Sequence, residues 1–217
     1  MKIEKSNIAY STAQFLLQIN AIKLNPQNPF TWASGIKSPI YCDNRTILSF
    51  PEIRTEIITQ MTKLAQTFGE FDSISGVATA GIAHGALISN QFNLPFSYIR
   101  SKPKGHGMQN LIEGRLKEGD KVLVVEDLIS TGGSSIKAVE AVRKAGCEVV
   151  GVIAIFSYEF EQAKANFEAA NCEFKTLSDY QTLIQVAEKE NYISPNEVEQ
   201  LLDWSVNPKK WGEKFGK

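Results

Sequence analysis

Two adjacent carboxylates, Glu126 and Asp127, stand just ahead of a run of hydroxyls and glycines, Ser130-Thr131-Gly132-Gly133-Ser134-Ser135. Carboxylates repel a phosphate, so the pair suits a neutral partner such as the two hydroxyls of a sugar diol. The run behind them suits the opposite task. Its hydroxyls and main-chain amides are donors for an oxyanion, and glycine lets the backbone approach closely without a Cβ in the way. Hydrogen bonds to a charged group contribute about 1.5–3 kcal/mol each. One place for a phosphate and a diol is a place for a phosphorylated ribose.

The spacing excludes two other phosphate motifs. A Walker loop sets a Lys directly before its Ser or Thr, and here Gly133 precedes Ser134. A dinucleotide fingerprint spreads its glycines over the turn and carries its acid about twenty residues later.

Three further segments carry candidate chemistry. Ser101–Gly114, SKPKGHGMQNLIEG, holds Lys102, Lys104 and His106, with Arg100 at its root and Gly105 and Gly107 as points of flexing. Cations closed over an anionic leaving group stabilise its growing charge, and closure excludes water. Gly76–Gly81, GVATAG, puts small residues ahead of a helix, a second place where backbone can meet phosphate. Phe30–Arg45 offers Lys37, Tyr41 and Arg45 as donors and a ring face for a planar anionic base. His84, inside a helix, reads as a packed side chain rather than a base. Cys42 reads as a small apolar filler rather than a nucleophile.

The elements that must position these residues alternate. Strands are predicted at Ser73–Ala78, Phe96–Arg100, Val122–Glu126 and Val149–Phe156, and helices at Ile82–Phe92, Ile136–Lys144 and Glu159–Ala170. Such alternation argues a parallel sheet with crossover helices, and ligands bind beyond the carboxyl ends of such strands. The start of the helix at Ile136 adds free N–H groups and a positive dipole end. Ahead of the sheet, Ile8, Phe15, Leu16, Ile19 and Ile22 recur at helical spacing, with Ser6 or Asn7 as cap. A second helix runs from Pro51 to about Phe68. Phe30–Asp43 reads as loop plus a short strand. Near the end, Ser194-Pro195-Asn196-Glu197 is a capping box that opens a helix to about Ser205. Trp204 and Trp211 are expected to pack that tail back onto the body.

With 217 residues the chain fits one α/β domain with small additions, and with 23 basic against 24 acidic residues it has little general attraction for nucleic acid or an anionic membrane surface. Three cysteines, Cys42, Cys147 and Cys172, in no metal-binding spacing, fit reduced thiols in the cytoplasm. No run is apolar enough for a signal core or a membrane span.

The acid pair followed by Ser-Thr-Gly-Gly resembles the phosphoribosyl diphosphate (PRPP) motif of the type I phosphoribosyltransferases. The segments FTWASGIKSPIYCDNR, GVATAGIAHG, YIRSKPKGHG and VLVVEDLISTGGSS together resemble the orotate phosphoribosyltransferases over most of the chain. That resemblance implies an α/β fold with a central parallel sheet flanked by helices, a single domain over residues 1–217 with an N-terminal hood at 1–50 and a mobile active-site loop at 101–114. It implies transfer of the 5-phosphoribosyl group from PRPP to orotate, giving orotidine 5′-monophosphate and diphosphate in pyrimidine synthesis. It also implies a homodimer whose loop acts in trans, and magnesium held by substrate and water with no dedicated protein ligand. By position, Arg100, Lys104 and His106 would bind diphosphate. Glu126, Asp127, Leu128, Ile129, Ser130, Thr131, Gly132, Gly133 and Ser134 would hold the ribose 5-phosphate, and Ser130 would also touch orotate. Lys104, His106 and Asp127 are the candidate catalytic residues.

The chain departs from the pattern of many relatives. Ser101 stands where a second basic residue follows the loop root, and Ala80 and Ala33 stand where lysines are common. Ser157-Tyr158-Glu159 stands where an Arg commonly meets the base carboxylate, so Arg45 or Lys37 is expected to take over that charge. Two rival readings are a phosphoribosyltransferase for a purine base, which the N-terminal segment disfavours, and a PRPP-sensing nucleic-acid-binding regulator. The regulator calls for a basic extension that this N-terminus does not have.

Overall fold

Apolar runs in the middle of the chain, buried on both faces, make the strands of one mostly parallel sheet. The computed structural model describes residues 2–32, 35–102 and 111–215. The chain divides into two units, one of Met1–Pro51 with Ser178–Lys217 and one of Glu52–Leu177.

The first unit opens with α1 (Lys2–Gln18). The apolar spacing predicts this helix to continue to Ile22, but it stops at Gln18. Asn20 takes a left-handed φ of 55°, a conformation Asn tolerates, and Ile22 instead begins β1 (Ile22–Leu24). Phe30–Asp43 holds more strand than expected. β2 (Phe30–Thr31) pairs antiparallel with β3 (Lys37–Ser38), and β4 (Ile40–Cys42) pairs antiparallel with β1. A 3-10 turn, Asn44–Ser49, follows, capped by the Asp43 side chain.

The second unit carries α2 (Pro51–Gln66), β5 (Ser73–Val77), α3 (Ala80–Phe92), β6 (Phe96–Ile99), β7 (Ile112–Glu113), β8 (Lys121–Val125) and β9 (Leu128–Ile129). After these come α4 (Gly133–Lys144), β10 (Glu148–Ser157), α5 (Glu161–Ala169) and β11 (Phe174–Asp179). The sheet order is β11-β10-β8-β5-β6-β7, with β9 beside β10. The pairs β10/β8, β8/β5, β5/β6 and β9/β10 are parallel, and only β6/β7 is antiparallel among those with a described register. Val122, Val124, Ile129, Val139, Val142 and Phe167 share one buried cluster that clamps α4 and α5 to β8. Burying one such side chain contributes about 1.5–3 kcal/mol, so the end of β8 is among the best-anchored points of the unit.

Back in the first unit come α6 (Tyr180–Lys189), α7 (Pro195–Val206) and α8 (Pro208–Gly212). The predicted capping box at Ser194 and Glu197 is formed. Trp204 and Trp211 are buried, Trp204 standing edge-on to Trp32 with centroids 5.6 Å apart. Among the described residues, no helix is long and apolar enough to cross a membrane.

Candidate functional site

β8 ends at Val125, and the chain turns out of the sheet at Glu126 and Asp127 before β9 returns it beside β10. Glu126 is buried, and its main-chain N–H donates to Ile153 O at 2.9 Å. Its carboxylate accepts from the Asp127 N–H at 3.0 Å and from Ser134 Oγ at 3.2 Å. The acid pair is thereby tied directly to the start of α4. Burial, reinforced by the charge of Asp127, pushes the Glu126 carboxyl well above the ordinary carboxylate range. A carboxyl held toward its protonated form both donates and accepts, which matches a hydroxyl partner. Asp127 is half-buried.

The turn behind the acids is a helix start. The helical pattern predicts α4 to begin at Ile136, but Gly133, Ser134 and Ser135 already form its first turn. Glycine and serine carry little helical signal of their own, which is why the boundary was hidden. Gly132 is the N-cap with φ 78°, and no side chain caps this end. The uncapped N–H groups and the positive end of the dipole are an anion site. Gly132 is required twice over, since a Cβ there would also stand 2.9 Å from the Phe167 ring. Gly133 is different: a Cβ would meet nothing closer than Thr131 Oγ1 at 3.9 Å, so open space lies beside it. Ser130 is half-buried, Thr131 and Ser134 are exposed, and Ser135 is buried. Leu128 is half-buried, while Ile129 is fully buried, opposite Ser157 of β10, and its carbonyl accepts from Tyr158 N–H at 3.0 Å.

The GVATAG segment lies against the same place. Its glycines remove the side chains that would hold α3 off the sheet. A Cβ on Gly81 would stand 2.4 Å from Val125 O, and one on Gly76 would stand 2.6 Å from Gly81 O. The two turns that follow β5 and β8 are therefore side by side, and α3 too begins with no side-chain cap. A cleft of about 280 Å³ opens beside them, lined by Ala78, Ile99, Arg100, Leu111, Ser134 and Lys137 among others. Arg100 sits just past β6, where its N–H donates to Leu111 O at 2.8 Å and its guanidinium pairs with Glu113 at 3.5 Å.

A family model described as a phosphoribosyl transferase domain matches residues 43–186. The chain is 52% identical over 201 residues to a Porphyromonas gingivalis protein named orotate phosphoribosyltransferase, covering 92% of this chain and 96% of that one. It is 52% identical over 214 residues to a Listeria monocytogenes protein of the same name, covering 98% and 100%. The chain belongs to the orotate phosphoribosyltransferase family. Its fold is shared with the crystal structure of orotate phosphoribosyltransferase from Aeropyrum pernix, at a TM-score of 0.72 and 23% identity over 84% of this chain and 99% of that one.

The remaining candidate residues of this phosphoribosyltransferase come from other segments of the chain. Lys104 and His106, with Gly105 and Gly107, fall outside the described residues, as does Ala33. Lys37, Tyr41 and Arg45 belong to the first unit. Lys37, on β3, donates from Nζ to Thr31 Oγ1 at 3.0 Å. Tyr41, on β4, is exposed and tilts against Phe30 at 5.8 Å. Arg45 forms a two-point pair with Asp43, Nε to Oδ1 at 2.7 Å and Nη2 to Oδ2 at 2.9 Å. The hydrogen bond from Arg45 holds the Asp43 carboxyl below its usual range. Past the end of β10, Tyr158 is buried and stacked on Phe160 at 5.5 Å, and Glu159 takes a φ of 56°. His84 is buried within α3, as expected of a packed side chain. Asn166 of α5, which no sequence pattern singled out, donates from Nδ2 to the carbonyl of Thr131 at 2.8 Å.

Proposed function

We propose that this chain transfers the 5-phosphoribosyl group of PRPP to orotate. The bond from the anomeric carbon to the diphosphate oxygen breaks, diphosphate leaves with the electron pair, and a bond forms from that carbon to an already deprotonated ring nitrogen of orotate. Products are orotidine 5′-monophosphate and diphosphate. The observation that carries this reading is the uncapped start of α4 bonded, through Ser134, to the buried Glu126. It supports the turn at Ser130–Ser134 as the holder of the 5-phosphate and Glu126 with Asp127 as the holders of the ribose diol.

In this reading the protein positions and stabilises rather than reacts covalently. Asp127 faces the sugar as positive charge grows on it, and Arg100, Lys104 and His106 meet the departing diphosphate, the loop reaching a neighbouring copy in a homodimer. Ser130 touches the base, and Lys37, Tyr41 and Arg45 supply a ring face and a cation for its carboxylate. The enzyme is assigned to the cytoplasm. Glu126 and Asp127 offer oxygen donors only. That set fits magnesium, which keeps water and substrate oxygens as most of its ligands. Bound there, magnesium would neutralise charge on the diphosphate, and Asp127 would support it through water or the diol.

Orotate consumption, followed by absorbance with PRPP and magnesium and with uracil, hypoxanthine and adenine as alternative bases, tests the reading. Turnover with orotate alone is expected. Turnover with a purine and not with orotate overturns the base assignment, and no diphosphate release with any base overturns the reaction.

A further inference from the structure

The back of the phosphate turn is held by α5 through two consecutive residues. Asn166 Nδ2 donates to the Thr131 carbonyl at 2.8 Å, and Phe167 lies under Gly132, its ring 2.9 Å from where a Cβ would stand. The Asn166 amide is itself oriented. Its Oδ1 accepts from Gln162 Nε2 at 2.9 Å, which leaves the NH2 end facing the turn. These bonds decide more than the fate of one carbonyl. A trans peptide unit is planar, with its C=O and N–H pointing in opposite directions. Drawing the Thr131 carbonyl back onto α5 therefore aims the Gly132 N–H away from α5. Gly132 is the N-cap of α4, and its amide joins the uncapped donors of that helix.

We propose that Asn166, oriented by Gln162, is a positioning residue for the 5-phosphate, holding the Thr131–Gly132 peptide so that the Gly132 amide faces the anion. This rests on the assignment of the Ser130–Ser134 turn to the 5-phosphate. It extends the site to a helix face that touches no substrate.

Two inhibitors separate the subsites: ribose 5-phosphate, which carries the 5-phosphate alone, and inorganic diphosphate. In Asn166→Ala the inhibition constant for ribose 5-phosphate is expected to rise about five- to tenfold, the worth of one ordinary neutral hydrogen bond. The constant for diphosphate and the KM for orotate stay within twofold. Asn166→Asp, which keeps the size but turns an acceptor toward the carbonyl, shows at least the same loss. Gln162→Ala shifts the same constant about twofold and adds nothing on top of Asn166→Ala. Should Asn166→Ala fail to fold, Asn166→Asp and the exposed-face variant Gln162→Ala carry the comparison.

Unchanged ribose 5-phosphate inhibition in the Asn166 variants overturns the proposal, and so does an equal rise for diphosphate, which marks a general loosening. Gly133→Val tests the underlying assignment separately. If it too leaves ribose 5-phosphate inhibition unchanged, the turn is not the 5-phosphate site. If it weakens that inhibition while the Asn166 variants do not, only the positioning role is lost.

Discussion

The α-carbon of Gly81 lies so close to Val125 that a methyl on it would stand 2.4 Å from the Val125 carbonyl oxygen. Val125 is the last residue of β8, and Glu126 follows it into the site. The start of α3 thus presses on the strand end that presents the acid pair. Backbone against backbone has no side chain to move aside, so any substitution at 81 must displace a main-chain segment.

Gly81→Ala is accordingly expected to cost about 1–3 kcal/mol of stability, as overpacking does, and to lower kcat/KM for PRPP by more than that loss of folded protein accounts for. Thermal unfolding read beside steady-state kinetics on the folded fraction checks both. A variant with wild-type kinetics would show that the contact serves packing alone.

The two glycines of the phosphate turn are expected to behave differently. Gly132→Ala forces a side chain into a φ of 78° and into the Phe167 ring. It should destabilise the protein by about 1–3 kcal/mol. Gly133→Ala meets open space within the protein and should leave unfolding unchanged within about 0.5 kcal/mol. A loss of PRPP affinity in that second variant therefore reports on room for the ligand and not on folding. Calorimetry of unfolding and of PRPP binding on the two variants distinguishes the cases.

How much of this was legible in the sequence depends on whether the signal was local. Val122–Val125 is a continuous apolar run and the acids follow it directly, so strand, turn and site could be read together. The first turn of α4 could not, because Gly133, Ser134 and Ser135 become helical through the packing of the residues after them. Ile22 has the helical spacing of α1 but joins β1, its burial satisfied equally well by a strand. α6 goes unpredicted although its signal is local: Asp179 caps it and Tyr180, Leu183, Ile184 and Ala187 are buried along it. The contacts of Gly81 with Val125 and of Asn166 with Thr131 join segments 44 and 35 residues apart, and no local pattern announces such a pair.

Arg45 is expected to meet the carboxylate of the base. Its guanidinium already grips one carboxylate, that of Asp43, at two points, the geometry by which Arg binds carboxylates generally. Arg45→Ala should raise the KM for orotate about tenfold, leave the KM for PRPP unchanged, and cost under about 1 kcal/mol of stability, since the Arg45 side chain is 57% exposed. An unchanged KM for orotate removes Arg45 from base recognition and passes the role to Lys37.

Lys104 is expected to carry charge stabilisation of the leaving diphosphate. Removing one such donor costs about 2.7–4 kcal/mol of barrier by analogy with oxyanion donors, a loss of about 10²–10³ in kcat. Lys104→Ala, assayed in a preparation shown by sedimentation to be dimeric, should show that loss with little change in the KM for orotate. Full kcat in such a dimer would remove the loop from the chemistry.

Stability should fall on the alkaline side through Tyr180. Its hydroxyl is buried and donates to Leu201 O at 3.0 Å, and burial pushes its ionisation far above the ordinary phenol range. An unfolded phenol ionises near pH 10. Above that pH the unfolded chain binds fewer protons than the folded one, so stability is intact below about pH 10 and declines as pH rises, by up to about 1.4 kcal/mol per unit from this group. Tyr180→Phe should cost about 1 kcal/mol at pH 8 through the lost hydrogen bond. It should also flatten the alkaline decline in urea unfolding measured from pH 8 to 11. A decline of equal slope in the two proteins would mean that other groups govern it and that the Tyr180 hydroxyl ionises as readily in the folded chain as in the unfolded one.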